Sequence, residues 1–156
     1  MPWRINHQQR ELYDSELALR AAMAAGVRVT FHSDTTAIEG TCNLFEERGQ
    51  IDLVVDDKLV ASVNLANQSS FRFENLSAGN KNIELWLPQF GETRLSGLGI
   101  DVEAKISAPS ESSAKKWITY GSSISQCSAA DSPTKTWPAI VARTRGYDLT
   151  CLGFGG

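Results

Sequence analysis

The sequence predicts a β-sandwich of jelly-roll type followed by the first βαβ unit of a parallel α/β sheet, and three observations carry this expectation. Short apolar or alternating runs recur at intervals of roughly ten residues through the first two thirds of the chain, separated by turn-forming residues, as in antiparallel sandwiches. A serine-rich stretch with one proline and no apolar periodicity, Ser107 to Lys116, then reads as a linker. After it come an apolar run, a helix-spaced segment and a second apolar run, all within about 40 residues. The expected organisation is a sandwich domain at 1–106, a linker at 107–116 and the N-terminal part of an α/β domain at 117–156.

In chain order, a short helix is expected around Asp14 to Ala24. "VRVTFHSD" then alternates, with Val27, Val29 and Phe31 on one side and Arg28, Thr30 and His32 on the other. Further strands are expected at "AIEGTCNLF", "IDLVVDD", "LVASVNL", "SFRFENL", "NIELWLP" and "TRLSGLGIDV". Turn signals lie between them at Glu47-Arg48-Gly49, Asp56-Asp57-Lys58, Ser77-Ala78-Gly79-Asn80 and Phe90-Gly91. "WITYG", from Trp117, has the dense apolar character of a strand buried on both faces.

"TKTWPAIVARTRG" spaces Trp137, Ile140, Val141 and Thr144 as one buried face of a helix. Thr136 is its expected N-cap, which places Pro138 in the first turn, and Gly146 its expected C-terminal stop. "YDLTCLGFGG" reads as a second buried strand running into a glycine-rich loop. A unit of roughly 40 residues buries too little surface to fold alone and would leave open strand edges. The α/β domain is therefore expected to be incomplete within these residues.

Composition narrows the function. A net charge of −3 and a pI near 5.4 give no basic footprint for nucleic acid. The first residues, "MPWRINHQQRELYDSE", hold no apolar core of a signal peptide, which favours a cytoplasmic protein. No apolar run approaches the ~20 residues that span a bilayer. Cys42, Cys127 and Cys151 lack C-x-x-C spacing and read as reduced thiols, not as a zinc site or disulfide framework. Trp86 and Trp117 are expected as core or interface anchors, and Cys127 as an unreactive thiol.

The chemically distinctive stretch is "KKWITYGSSISQC". Ligands of open α/β sheets bind beyond the carboxyl ends of parallel strands, where Ser123 would stand after the turn at Gly121. Gly155 and Gly156 would reach the same edge after the second strand. A hydroxyl beside glycine N–H groups supplies a nucleophile and oxyanion donors. The pattern is not G-x-S-x-G, because Ser125 occupies the last position, and spacing alone leaves a plain serine-rich loop open.

"WITYGSSISQC" followed by "TWPAIVARTRGYDLTCLGFGG" resembles the SGNH (GDSL-type) serine hydrolases, specifically members with an N-terminal jelly-roll domain. The resemblance implies a flavodoxin-like α/β hydrolase domain opening at Trp117, with Ser123 as the nucleophile of the first conserved block. The family's aspartate in that block, which is not the triad acid, is replaced by Ser122. The second block supplies an oxyanion N–H from a glycine; Gly156 is the best match, with Gly155 one position away. The third block, G-x-N-D, and the last, D-x-x-H, find no counterpart here, so the oxyanion asparagine and the triad aspartate and histidine are expected outside this sequence. Neither histidine replaces the base: His7 lies in a polar segment, His32 on the polar side of a strand, and neither has D-x-x-H context.

The implied function is serine-dependent hydrolysis of an ester through an acyl-enzyme, in the esterase, lipase or acetylesterase class. No metal or organic cofactor is required. The expected substrate is a small-molecule or carbohydrate ester, with no nucleic-acid partner and no membrane span. Two alternatives stand beside it: a non-catalytic sandwich that binds a glycan or a protein and carries an inert α/β tail, and an oligomer in which another chain supplies the catalytic half.

Overall fold

The computed structural model describes residues 3–46, 49–109 and 113–156; the expected turn at Glu47-Arg48 and residues 110–112 of the expected linker lie outside the described residues. Asp14 starts the first helix, α1 (Ser15–Ala21), its carboxylate accepting the Leu17 N–H at 2.9 Å. All seven expected sandwich strands form: β1 (Arg28–Ser33), β2 (Ile38–Leu44), β3 (Gln50–Val55), β4 (Lys58–Asn64), β5 (Ser70–Phe73), β6 (Lys81–Trp86) and β7 (Thr93–Ile100). A short β8 (Ile106–Ser107) pairs antiparallel with β1 at the start of the 107–116 segment, and β9 (Lys115–Gly121) begins at its end.

The strands form an antiparallel five-stranded sheet, β4-β3-β6-β1-β8, and a three-stranded sheet, β5-β2-β7. The β3–β4 hairpin turns at Asp56 and Asp57, both with positive φ (46° and 64°), the geometry whose twist matches the flanking strands. Between the sheets, Ile51, Leu53 and Val55 of β3 and Ile83 and Leu85 of β6 pack with Ile38, Phe71 and Phe73. Cys42 joins this core as a small apolar side chain, and its burial pushes the thiol pKa up to about 11.

The other face of the five-stranded sheet is covered too. β9 pairs in parallel with β10 (Tyr147–Gly153), from Lys115 opposite Tyr147 to Gly121 opposite Gly153. Between them in sequence lie a four-residue helix, α2 (Ser123–Gln126), and α3 (Trp137–Arg145). Val54 and Trp86, on the outer side of the sheet, meet Ala139, Ala142 and Leu149 in a second core cluster. Burial of β3 and β6 on both faces explains why "IDLVV" is almost continuously buried.

Polar ties cross the same interface. The fully buried Asp52 carboxylate of β3 accepts from Ser62 Oγ at 2.6 Å, the Thr134 N–H at 2.9 Å and Thr134 Oγ1 at 2.6 Å. Arg28 of β1 pairs with Asp148 at 2.7 Å, donates to the Leu149 carbonyl at 3.3 Å and lies 5.0 Å from the centroid of the Trp86 ring.

Thr136 caps α3, its Oγ1 accepting the Ala139 N–H at 3.3 Å, and Gly146 ends it in the left-handed region at φ 63°. The buried face of α3 is, however, not the expected one. Pro138, Ala139 and Ala142 are enclosed, while Trp137 and Ile140 are 43% and 46% exposed. The small alanines let the helix lie close to Trp86 and Val54, a contact that longer side chains would hold apart. "WITYG" also departs from expectation. Thr119 is covered, but Ile118 and Tyr120 on the opposite face are 61% and 83% exposed, because no described element packs over that side.

Candidate active site

Ser123 is exposed and follows directly on the carboxyl end of β9, as the first residue of α2. The four-residue helix stops at Cys127, which takes a left-handed conformation at φ 57°. Its tight seat depends on a glycine in the neighbouring strand. A methyl group at Gly153 would come 2.2 Å from the Gln126 nitrogen and 2.3 Å from the Ser125 carbonyl carbon, so the end of β10 touches the backbone of α2 directly.

The loop after β10 is laced to the serine turn. The Phe154 N–H donates to the Gly121 carbonyl at 2.8 Å, and the Gly155 N–H donates to Gln126 Oε1 at 2.5 Å. Gly155 stands against the serine: a methyl group there would lie 3.5 Å from Ser123 Cα and Cβ. Gly156 follows, exposed. Among the described residues, the Ser123 N–H donates to no acceptor.

Three side chains that sequence reasoning did not single out build this geometry. Gln126 is 1% exposed and holds the Gly155 N–H. Gln89, buried just after β6, donates its Nε2 to the Gln126 carbonyl. Arg4 reaches across from the N-terminal segment to the Gly153 carbonyl at 2.5 Å, the Arg20 carbonyl at 2.6 Å and the Met23 carbonyl at 2.8 Å, and lies over the Phe154 ring. Its hydrogen-bond partners are carbonyl dipoles rather than a carboxylate. Burial lowers its pKa to about 10, partly offset by the nearby Cys151. Lone polar residues in polar or mixed surroundings carry no local signal of such roles.

The remaining candidates lie elsewhere. His7 stacks near Trp3 and contacts Arg10, and His32 sits in β1 opposite Asn82 and Ser107; among the described residues no hydrogen bond joins either to Ser123. The Cys127 thiol donates to the Ile124 carbonyl at 2.9 Å, and burial chiefly raises its pKa, which fits the expected inertness. Trp117 and Trp86 act as anchors at the interface between the sandwich and the parallel strands. Of the acid pairs at turns, Asp56 accepts the Asn82 N–H at 3.0 Å, and Glu47 lies outside the described residues.

A groove of about 1180 Å³ is lined by His32, Trp86, Arg143 and Tyr147 among others. It opens beside Lys115 and Tyr147, the amino ends of β9 and β10, and so away from the serine loop. Its Arg28 is already paired with Asp148 and Glu84. The serine loop, with the unengaged N–H and the exposed side chain of Ser123, is the stronger chemical candidate.

A sandwich backed by a parallel strand pair is the fold that comparison with solved structures returns. Residues 1–96 match the family model described as SsfX3, N-terminal domain, and the chain belongs to that family. Among solved structures it is similar to a salicylyl-acyltransferase, SsfX3, from a tetracycline biosynthetic pathway, at 32% identity and a TM-score of 0.89, covering 99% of this chain and 47% of that one. A GDSL-like lipase from Bacteroides ovatus matches at 21% identity and a TM-score of 0.84, over 99% of this chain and 50% of that one. A family two carbohydrate esterase from Clostridium thermocellum, in complex with cellohexaose, matches at 15% identity and a TM-score of 0.65, over 86% and 46%. The last two share the fold. The chain spans about half the length of these structures. No curated protein sequence matches it. Among the described residues no helix is long and apolar enough to cross a membrane.

Proposed function

We propose that Ser123 is the nucleophile of a serine-dependent acyl transfer from an ester, with the N–H groups of Ser123 and Gly156 receiving the oxyanion. The observation that carries this reading is the division of roles in the glycine loop. Gln126 occupies the Gly155 N–H, while the N–H of Ser123, the residue that carries the exposed hydroxyl, donates to no acceptor among the described residues. This favours Gly156 over Gly155 as the donor. In the same reading, residues 1–106 form the sandwich domain, 107–116 the linker, and residues 117–156 the opening of an SGNH-type hydrolase domain.

Ser123 Oγ attacks the ester carbonyl as a histidine base takes its proton, and an aspartate orients that histidine. The tetrahedral oxyanion collapses, the alcohol leaves with the proton from the histidine, and an acyl-enzyme remains on Ser123. Water, activated by the same base, releases the acid. The histidine, the aspartate and an oxyanion asparagine are assigned to the whole protein outside these residues. The substrate is a small-molecule or carbohydrate ester. A second acceptor is favoured by one observation: the 32% identity to an acyltransferase across 99% of this chain supports an alcohol taking the place of water in the last step.

The test is labelling of the full-length encoded protein with a fluorophosphonate, followed by peptide mapping. A covalent adduct on Ser123 that is absent in Ser123→Ala, together with loss of p-nitrophenyl ester turnover, is the expected result. No adduct on the wild-type protein would sink the proposal and favour a sandwich that only binds.

A further inference from the structure

We propose that Gln126 and Gln89 are positioning residues that hold Gly155 against Ser123, so that the sandwich itself keeps the two halves of the serine site in register. The inference rests on the acyl-transfer reading above for its catalytic meaning, but its geometry stands apart from that reading.

Gln126 is an unusual residue to bury, since its amide carries two donors and an acceptor that must be satisfied without water. Its Oε1 accepts the Gly155 N–H at 2.5 Å, which dictates the amide's orientation because an N–H can face only the oxygen. Its Nε2 then points to Met23 Sδ at 3.2 Å, in the segment that leads from α1 into β1. The Gln126 backbone carbonyl, one that a four-residue helix leaves unpaired, accepts Gln89 Nε2. Gln89 Oε1 in turn faces the Gly26 N–H at 3.4 Å.

The result is a hydrogen-bonded path from Gly26 and Met23 in the sandwich layer, through Gln89 and Gln126, to Gly155. It reaches the loop at its most deformable point, because Gly155 and Gly156 have no side chains to limit their backbone. With its own N–H engaged, Gly155 cannot turn that group outward to compete for a developing charge. Arg4 fixes the same loop one turn earlier through the Gly153 carbonyl. Ser123 is thereby held on one side by Gln126, in its own helix, and on the other by a loop that Gln126 grips.

The experiment compares wild type, Gln126→Leu, Gln126→Glu and Gln89→Leu. The amide exchange of Gly155 is read by NMR, and the rate of fluorophosphonate labelling of Ser123 alongside it, both in the full-length protein. Gln126→Leu is expected to speed Gly155 exchange by about tenfold or more, with the β3 and β6 amides unchanged. It is also expected to slow Ser123 labelling by roughly a hundredfold, the effect of a loop misplaced by about 1 Å. Gln126→Glu, which keeps the chain length and an acceptor oxygen, should retain Gly155 protection. Gln89→Leu should loosen Gly155 while leaving Gln126 in place, and it serves where Gln126→Leu does not fold. Unchanged Gly155 exchange in both leucine variants, or a Gln126→Glu variant as loose as Gln126→Leu, overturns the proposal. Loosened Gly155 with no labelling of Ser123 even in wild type keeps the clamp and removes the acyl-transfer reading instead.

Discussion

Gly153→Ala puts the packing of the serine loop to a direct test. The added methyl would lie 2.2 Å from the Gln126 nitrogen and 2.3 Å from the Ser125 carbonyl carbon. Both are backbone atoms, which cannot rotate aside as a side chain can. Ordinary contact needs about 3.5 Å, so α2 must retreat from β10 by more than about 1 Å. Overpacking of this kind costs roughly 1–3 kcal/mol. Retreat also strains the Gly155–Gln126 and Phe154–Gly121 hydrogen bonds, each worth about 1 kcal/mol. A loss of roughly 3 kcal/mol lowers the Tm of a chain this long by roughly 6–12 °C. The control is Gly97→Ala, where a methyl meets nothing within 4 Å and φ is not positive; its expected change is within about 0.5 kcal/mol. Thermal melts followed by circular dichroism read both. A Gly153→Ala protein melting within about 2 °C of wild type would mean that α2 does not rest on β10 as described.

Asp52→Ala should cost about 2–4 kcal/mol, because Ser62 Oγ and the Thr134 N–H and hydroxyl would lose their shared acceptor inside a fully buried site. Urea unfolding measures it, and an unchanged midpoint would refute the bridge between the sandwich and the turn before α3. Asp101 governs part of the acid response. Hydrogen bonds from the Thr36 N–H and hydroxyl, then Thr35 Oγ1 and the Ala37 N–H, hold its carboxyl below the usual range. A depressed folded-state pKa means that this stabilisation is present above the unfolded value of about 3.9 and is lost as pH falls through the folded value. Asp101→Asn should therefore flatten the decline in urea midpoint as pH falls below about 5, and an unaltered acid limb would count against it.

Local rules carried a good part of this structure. Alternation in "VRVTFHSD", where a period of two places one set of side chains on one face, and six further short runs bounded by turn signals located the seven long sandwich strands among the described residues. Thr136 and Gly146 marked α3 to the residue, because capping is settled by the few atoms at each helix end. The strand–turn–serine order at Gly121 to Ser123 also put the hydroxyl at the carboxyl edge, where the structure has it.

What depends on distant partners was not legible. The helix pattern weighed size and apolarity, and so favoured Trp137 and Ile140. The face that packs is the one with the alanines, a choice made by Val54 and Trp86 from another sheet. In "WITYG", the described residues cover the Thr119 side alone, and which layer covers a strand is set by elements distant in sequence. The clamp on Gly155 joins Gln89 to Gln126 across 37 residues, and Arg4 meets Gly153 across 149. A hydrogen bond of that span leaves no periodic trace in the chain. Its partners meet only after the apolar layers have packed and brought two stretches of backbone into reach, so the residues could name the serine's position while the shape of the site around it waited on the fold.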